Sequence, residues 1–109
     1  MAVIAVTALE ITDNFLAATF AAGTSADTSR PIDVSRYNLI GVQHLSGTIG
    51  TTVVQGSMDG TNWGALGAGL TVGAANVVTT MEVAVRFVRI NYGAAAAGAV
   101  VALQAVGNN

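Results

Sequence analysis

At 109 residues the chain has the length of one domain, enough to bury well over half of its unfolded surface. Charged residues make up only 9%, against about a quarter in an ordinary soluble domain, and the formal net charge is −2. The basic residues are all arginines (Arg30, Arg36, Arg86, Arg89) and form no basic stripe, which argues against nucleic acid, while the absence of cysteine removes disulfide frameworks and thiolate metal sites and suits a reducing cytoplasm.

The first 22 residues are apolar, yet no Lys or Arg precedes the apolar stretch, and Glu10, Asp13 and Asn14 interrupt it. Neither a secretory signal nor a spanning helix has that pattern, so one or two strands are expected here and no membrane partner. Residues 2–12 mix Val, Ile and Thr with small residues and read as an opening strand. Residues 15–21 fit a second strand or one helical turn, because alanine serves both. Residues 23–31 are a polar loop closed by the only proline. A strand follows over 37–45, with Ile40, Val42 and His44 on one face and Leu39 and Leu45 on the other. Residues 47–50 turn the chain into a strand over 51–55.

That strand leads into Gly56-Ser57-Met58-Asp59-Gly60-Thr61-Asn62-Trp63. Asp59-Gly60 predicts a sharp hairpin turn, since both residues tolerate positive φ. Trp63, the only tryptophan, then anchors the returning strand in the core. Glycines over 64–69 predict a tight connection, and 70–72 and 76–81 read as short strands set off by Gly73. Residues 83–92 alternate strongly, and 93–98 turn into a last strand over 99–106. No segment keeps a helical period. About eight short antiparallel strands at this spacing predict an all-β, single-domain β-sandwich of jelly-roll type. Val54, Trp63, Val88, Ile90, Val101 and Leu103 are the expected core.

The residue types that carry catalysis are sparse: one histidine and six carboxylates. A serine triad would need His44 near Ser57, oriented by Asp59 or Asp33, yet Ser57 precedes a hairpin and not a strained strand-to-helix elbow. His44 has no second His or Cys to complete a transition-metal site. The glycines of 64–69 lack the Lys-Ser/Thr of a phosphate loop. No catalytic residue, metal or cofactor is therefore expected, and the chain reads as a non-enzyme. Asp59, with Asn62 or Asp27, supplies oxygens of the kind calcium takes, but Asp and Asn more commonly hydrogen-bond their own turn. Arg86 and Arg89, three apart, would lie on opposite strand faces, so one leans inward or lies at a sheet end, paired with a carboxylate such as Glu82 or Asp33. Trp63 and Tyr92 offer a sugar-stacking pair, although so small a set of aromatics is expected in the core.

Three segments carry a resemblance: Ile32-Asp33-Val34-Ser35-Arg36-Tyr37, the hairpin from Gln55 to Trp63, and Arg86-Phe87-Val88-Arg89-Ile90. Together they resemble small β-sandwich domains of tailed-bacteriophage virion proteins, and they are also similar to discoidin-like jelly rolls that bind sugars or lipids. The resemblance spans about residues 31–106. It divides the chain, within one domain, into an N-terminal strand, arm and loop over 1–30, available for assembly, and a sandwich core over 31–109. It implies a head decoration or cement protein on the capsid surface, made in the host cytoplasm, with the major capsid protein and its own copies, as a homotrimer, for partners. The alternative it implies is a carbohydrate-binding module of a tail fibre or baseplate, gripping glycan through Asp59, Asn62 and Trp63. Charge depletion together with small Ala, Gly and Thr side chains favours the first, because such surfaces resemble the centre of a protein interface.

Overall fold

The structure, a computed structural model, describes residues 2–71 and 78–107. Buried side chains alternate with less buried ones along several segments, a pattern that suits pleated strands with one buried face. The strands are β1 (Val3–Ile4), β2 (Val6–Ile11), β3 (Phe15–Phe20), β4 (Thr28–Ser29), β5 (Ile32–Asp33), β6 (Leu39–Thr48), β7 (Val53–Ser57), β8 (Gly64–Thr71), β9 (Val78–Glu82), β10 (Phe87–Asn91) and β11 (Ala97–Val106). None of the described residues is helical.

They form two stacked sheets, the all-β sandwich expected, with eleven strands in place of about eight. The strand expected over 2–12 is divided into β1 and β2, and two further two-residue strands are added, β4 inside the segment that read as loop and β5 just after it. The six-stranded sheet runs β1-β4-β10-β7-β8, with β5 also on β10, and the five-stranded sheet runs β2-β3-β11-β6-β9. All pairs are antiparallel except β1 with β4. The chain crosses between sheets after β1, so β1 and β2 lie at the edges of different sheets.

The inner faces form one apolar cluster. Leu16, Ala18 and Phe20 from β3, Ile40 and Val42 from β6, and Val101, Leu103 and Ala105 from β11 meet Val54 of β7 and Val88 and Ile90 of β10. Full burial of each of the Val, Leu, Ile and Phe side chains among these contributes roughly 1.5–3 kcal/mol. Residues 1–30, set apart in the sequence reading, thus supply Ile4, Leu16, Ala18 and Phe20 to the same core.

Several boundaries differ from the expectation. The residues that left a helical turn open are β3, because every second side chain meets the core. Residues 64–69 are not a connection but most of β8, in which Gly64 and Ala65 pair with Gly56 and Gln55 of β7 before a register shift. The expected long strand over 83–92 is strand only in β10. Residues 72–77, which take in the expected turn at Gly73, lie outside the described residues.

Two backbone positions carry a clear steric requirement. Gly47 has φ +80 and sits against the Gly98 carbonyl, at the β11 bulge, where a Cβ has no room. Ala95, in the turn before β11, holds φ 67 with a Cβ that disfavours that region. Gly47→Ala is expected to lower unfolding free energy by about 2 kcal/mol or more. Ala95→Gly should raise it by about 0.5–1 kcal/mol, the left-handed penalty removed less the entropy of glycine. Urea titrations of both variants check the opposite signs.

Candidate functional site

The turn between β7 and β8 is wider than a two-residue hairpin, with Ser57 ending one strand and Gly64 starting the next. Only Gly60 takes positive φ (79), and Asp59 does not. The reason is a side-chain network that replaces the tight turn. Ser57 Oγ accepts from the backbone N–H of Asp59 (3.2 Å) and Gly60 (2.8 Å), while its hydroxyl donates to Asp59 Oδ1 (3.0 Å). Asp59 Oδ1 also accepts from the N–H groups of Thr61 (2.9 Å) and Asn62 (2.8 Å), and Oδ2 accepts from Asn62 Nδ2 (2.8 Å). These donors, led by the Asn62 and Thr61 amides, hold the Asp59 carboxyl well below the usual range. Both of its oxygens are spent on its own loop.

Trp63 is not in the core. It is half-buried and lies on the outer face of the six-stranded sheet, where the Arg89 guanidinium stands 4.3 Å over its ring. Arg89 shares that face with Gln55, its register partner, and donates to Gln55 Oε1 at 2.9 Å. Partial burial lowers the Arg89 pKa. Arg86 precedes β10, so the strand period does not govern it; it stays exposed over the Phe87 ring at 5.1 Å. Arg86 thus stands at a strand end and neither arginine leans inward, but neither forms the expected ion pair with Glu82 or Asp33. The Asp33 carboxyl is held low first by the Ser35 hydroxyl and then by the Ser35 amide. The ion pair found among the described residues is Arg36–Asp13 at 3.6 Å, with both side chains exposed.

The remaining candidates are scattered. His44 is buried on the inner face of β6, its Nε2 against the carbonyls of Ser46 (2.9 Å) and Gly47 (3.0 Å), so it does not meet Ser57. Asp27 accepts from the Thr24 and Ala2 amides, in that order of effect, which lowers its pKa; it sits beside Tyr92, away from Asp59. Tyr92 is buried with its ring over Gly23, and burial, with Asp27 adding, pushes its hydroxyl up to about 12. Trp63 and Tyr92 therefore occupy opposite faces of one sheet and form no platform. Among the described residues, no three His, Cys, Asp or Glu side chains cluster to hold a metal. Val54, Val88, Ile90, Val101 and Leu103 are fully buried.

What the fold does assemble is the outer face of the five-stranded sheet. Register places Phe15 and Ala17 of β3, Ala102, Gln104 and Val106 of β11, Leu39, Gly41 and Gln43 of β6, and Val78 and Thr80 of β9 on it. A shallow groove of about 360 Å³ runs between Leu39, Gln43, Val78, Ala102 and Val106. Its charges are Glu10 of β2 and Glu82 of β9, on the two opposite edge strands. An apolar, charge-free centre with charge at the rim is the anatomy of a protein interface. The signal for it lay in the alternate positions of 39–45 and 102–106, uncharged on the face away from the core, but their common face depends on pairings between strands distant in sequence.

At the level of sequence, the chain matches no protein-family model and no curated protein. Its fold is cupin-like or jelly-roll-like and recurs in solved structures. SPBc2 prophage-derived protein YomS aligns with a TM-score of 0.63 at 15% identity, over 91% of this chain and 98% of that one. An RmlC-like cupin protein from Desulfovibrio desulfuricans gives 0.52 at 10% identity, over 95% and 80%. PBSX exported protein XepA gives 0.51 at 20% identity, over 94% of this chain but 38% of its own length. Identities this low carry the fold and nothing finer.

Asp59→Ala should lower the melting temperature at pH 7. A carboxyl with a depressed folded-state pKa stabilises fully above its unfolded value, near pH 4, and loses that contribution as pH falls toward the folded value. The gap between wild type and variant is therefore expected to stay constant down to about pH 4 and to narrow only below it, as melting curves against pH would show. Arg89→Ala should cost about 0.5–1 kcal/mol and shift Trp63 fluorescence to the red as the ring loses its cover.

Proposed function

We propose that this chain is a non-enzymatic structural protein of a tailed-phage virion, a decoration or cement protein bound to the outside of the capsid. The observation that carries this is the charge-free outer face of the five-stranded sheet, with its apolar groove and acidic edges. Such a face suits a lattice of major capsid protein and further copies of this chain, with three-fold association as the resemblance implies. Its action would be mechanical. Many small side chains pack closely, lose little rotamer entropy on burial, and add contact area across capsomer boundaries without any reacting group. Support from outside the chain is the common fold with YomS, which is named as prophage-derived.

The alternative, a carbohydrate-binding module of a tail fibre or baseplate, draws on the half-exposed Trp63. Against it, Arg89 covers one face of that ring, and Asp59 and Asn62 are bonded to each other.

Quantitative peptide mass spectrometry of purified virions from the phage or induced prophage that encodes the chain separates these outcomes. A decoration protein is expected in hundreds of copies, near a simple ratio to the major capsid protein. A handful to a few tens would move it to the tail and favour the glycan alternative, and absence from particles would overturn both.

A further inference from the structure

β2 is an edge strand whose core-facing side is not covered by its own chain. Leu9 stands opposite Ala18 and Ile11 opposite Leu16 in the β2–β3 register, so both point to the inner face. Their partners are 3% and 1% exposed, whereas Leu9 and Ile11 remain 52% and 56% exposed. The six-stranded sheet stops short of them. Beside Ile11 a shallow cleft of about 170 Å³ opens over Leu16 and Tyr37. Among the described residues the outer backbone edge of β2 pairs with nothing, and its six residues carry one charge and no proline. Long apolar edges of this kind are normally blunted by charge, proline or cover.

We infer that β2 pairs antiparallel with β2 of a second copy about a local two-fold axis centred on Leu9, joining two five-stranded sheets into one. Three considerations select that register. Residues directly opposite in an antiparallel pair share a sheet face, which restricts the two-fold centre to a residue and excludes a point between residues. A centre at Glu10 would set two carboxylates against each other. A centre at Ala8 leaves each Leu9 opposite Thr7, whereas a centre at Leu9 brings the two leucines together, flanked by Ile11, and puts Glu10 opposite Ala8.

Charge favours a second copy as the occupant. The same register, carried past the irregularity between Val6 and Ala8, brings the β2–β3 turn near Ala5 of the other copy, with Asp13, which also lies 3.6 Å from Arg36 of its own chain and stays exposed. There Arg30, exposed and without an ion pair among the described residues, is held by its N–H on the Ile4 carbonyl. The two-fold repeats that acid–base approach on both sides. This contact does not depend on the virion reading, since it is formed by the purified chain, and it pairs copies whether the assembly is a dimer or two joined trimers.

Sedimentation velocity of the full chain tests it. Wild type is expected at an even number of copies, and Leu9→Lys at half that mass with an unchanged circular dichroism spectrum. Because the chain has no cysteine, single-cysteine variants read the register directly. Leu9→Cys should form a disulfide-linked dimer at least about tenfold faster under mild oxidation than Thr61→Cys on the hairpin loop, through its higher effective concentration. Glu10→Cys should match Thr61→Cys. A monomeric wild type, an assembly whose mass Leu9→Lys leaves unchanged, or a Leu9→Cys rate no higher than that of Thr61→Cys overturns the proposal. Should Leu9→Lys fail to fold, the Leu9→Cys rate decides. A wild type that is monomeric yet captures a foreign strand counts against it as well.

Discussion

The dry contact between the inner faces of the two sheets is the constraint from which the rest of this molecule follows. It is built almost wholly from aliphatic side chains of modest size, with Phe20 and Tyr92 the large aromatics fully inside it. Sheets stack about 10 Å apart, and small side chains fill that gap only if strands are in strict register and the backbones come close where space is short. Gly23 under the Tyr92 ring is one such close approach, and Gly47 against Gly98 is another within the five-stranded sheet itself. β11 lies in the middle of its sheet, pairing β3 on one side and β6 on the other, so its register positions both neighbours at once. A slip of one residue there would turn every core side chain outward.

Because that core leaves Trp63 outside, the outer faces acquire distinct characters. One carries Trp63, Arg89 and Gln55, stacked and hydrogen-bonded among themselves, with Phe87 under the Arg86 guanidinium. The other is small, apolar and uncharged across its centre. The hairpin loop belongs to neither: its carboxylate, amide and hydroxyl close on one another and make a rigid turn. A motif of Ser, Asp, Gly and Asn around an aromatic invites a ligand-binding interpretation, and the hydrogen bonds give it a structural one. Each donor and acceptor used within the loop is one less to recognise a sugar or an ion.

How much of this was legible depended on how local the cause is. Alternation over 39–45 and 99–106 identifies β6 and β11, and the burial of Ile40, Val42, Val101 and Leu103 follows from it. Trp63 was misplaced because size argues for burial, while the side of the sheet it reaches is set by a loop whose width depends on Ser57 capping Asp59 and Gly60. Gly-rich 64–69 read as a connection because glycine weakens a strand in isolation; pairing with β7 overrides that preference. The uncharged outer face was visible in composition, but not as a surface, since β3, β11, β6 and β9 come together from distant parts of the chain.

Charge poverty gains its meaning from this arrangement. Spread evenly, so few charged residues would leave a sandwich of this size weakly soluble and without clear docking preference. Here the acids of the five-stranded sheet stand on its edge strands, the arginines stand elsewhere, and among the described residues the exposed large apolar side chains group at the outer groove (Leu39, Val78, Val106) and on the inner side of β2 (Leu9, Ile11), with Val3, Leu45 and Met58 exposed apart from them. The groove offers breadth with little direction, as suits contact with a lattice. The β2 edge offers a row of backbone groups and a fixed register, which direct one strand into one position. A subunit with both could be held by a neighbour while lying flat against a third surface, and neither contact calls on the Asp59 hairpin loop, whose polar groups are already bonded to one another.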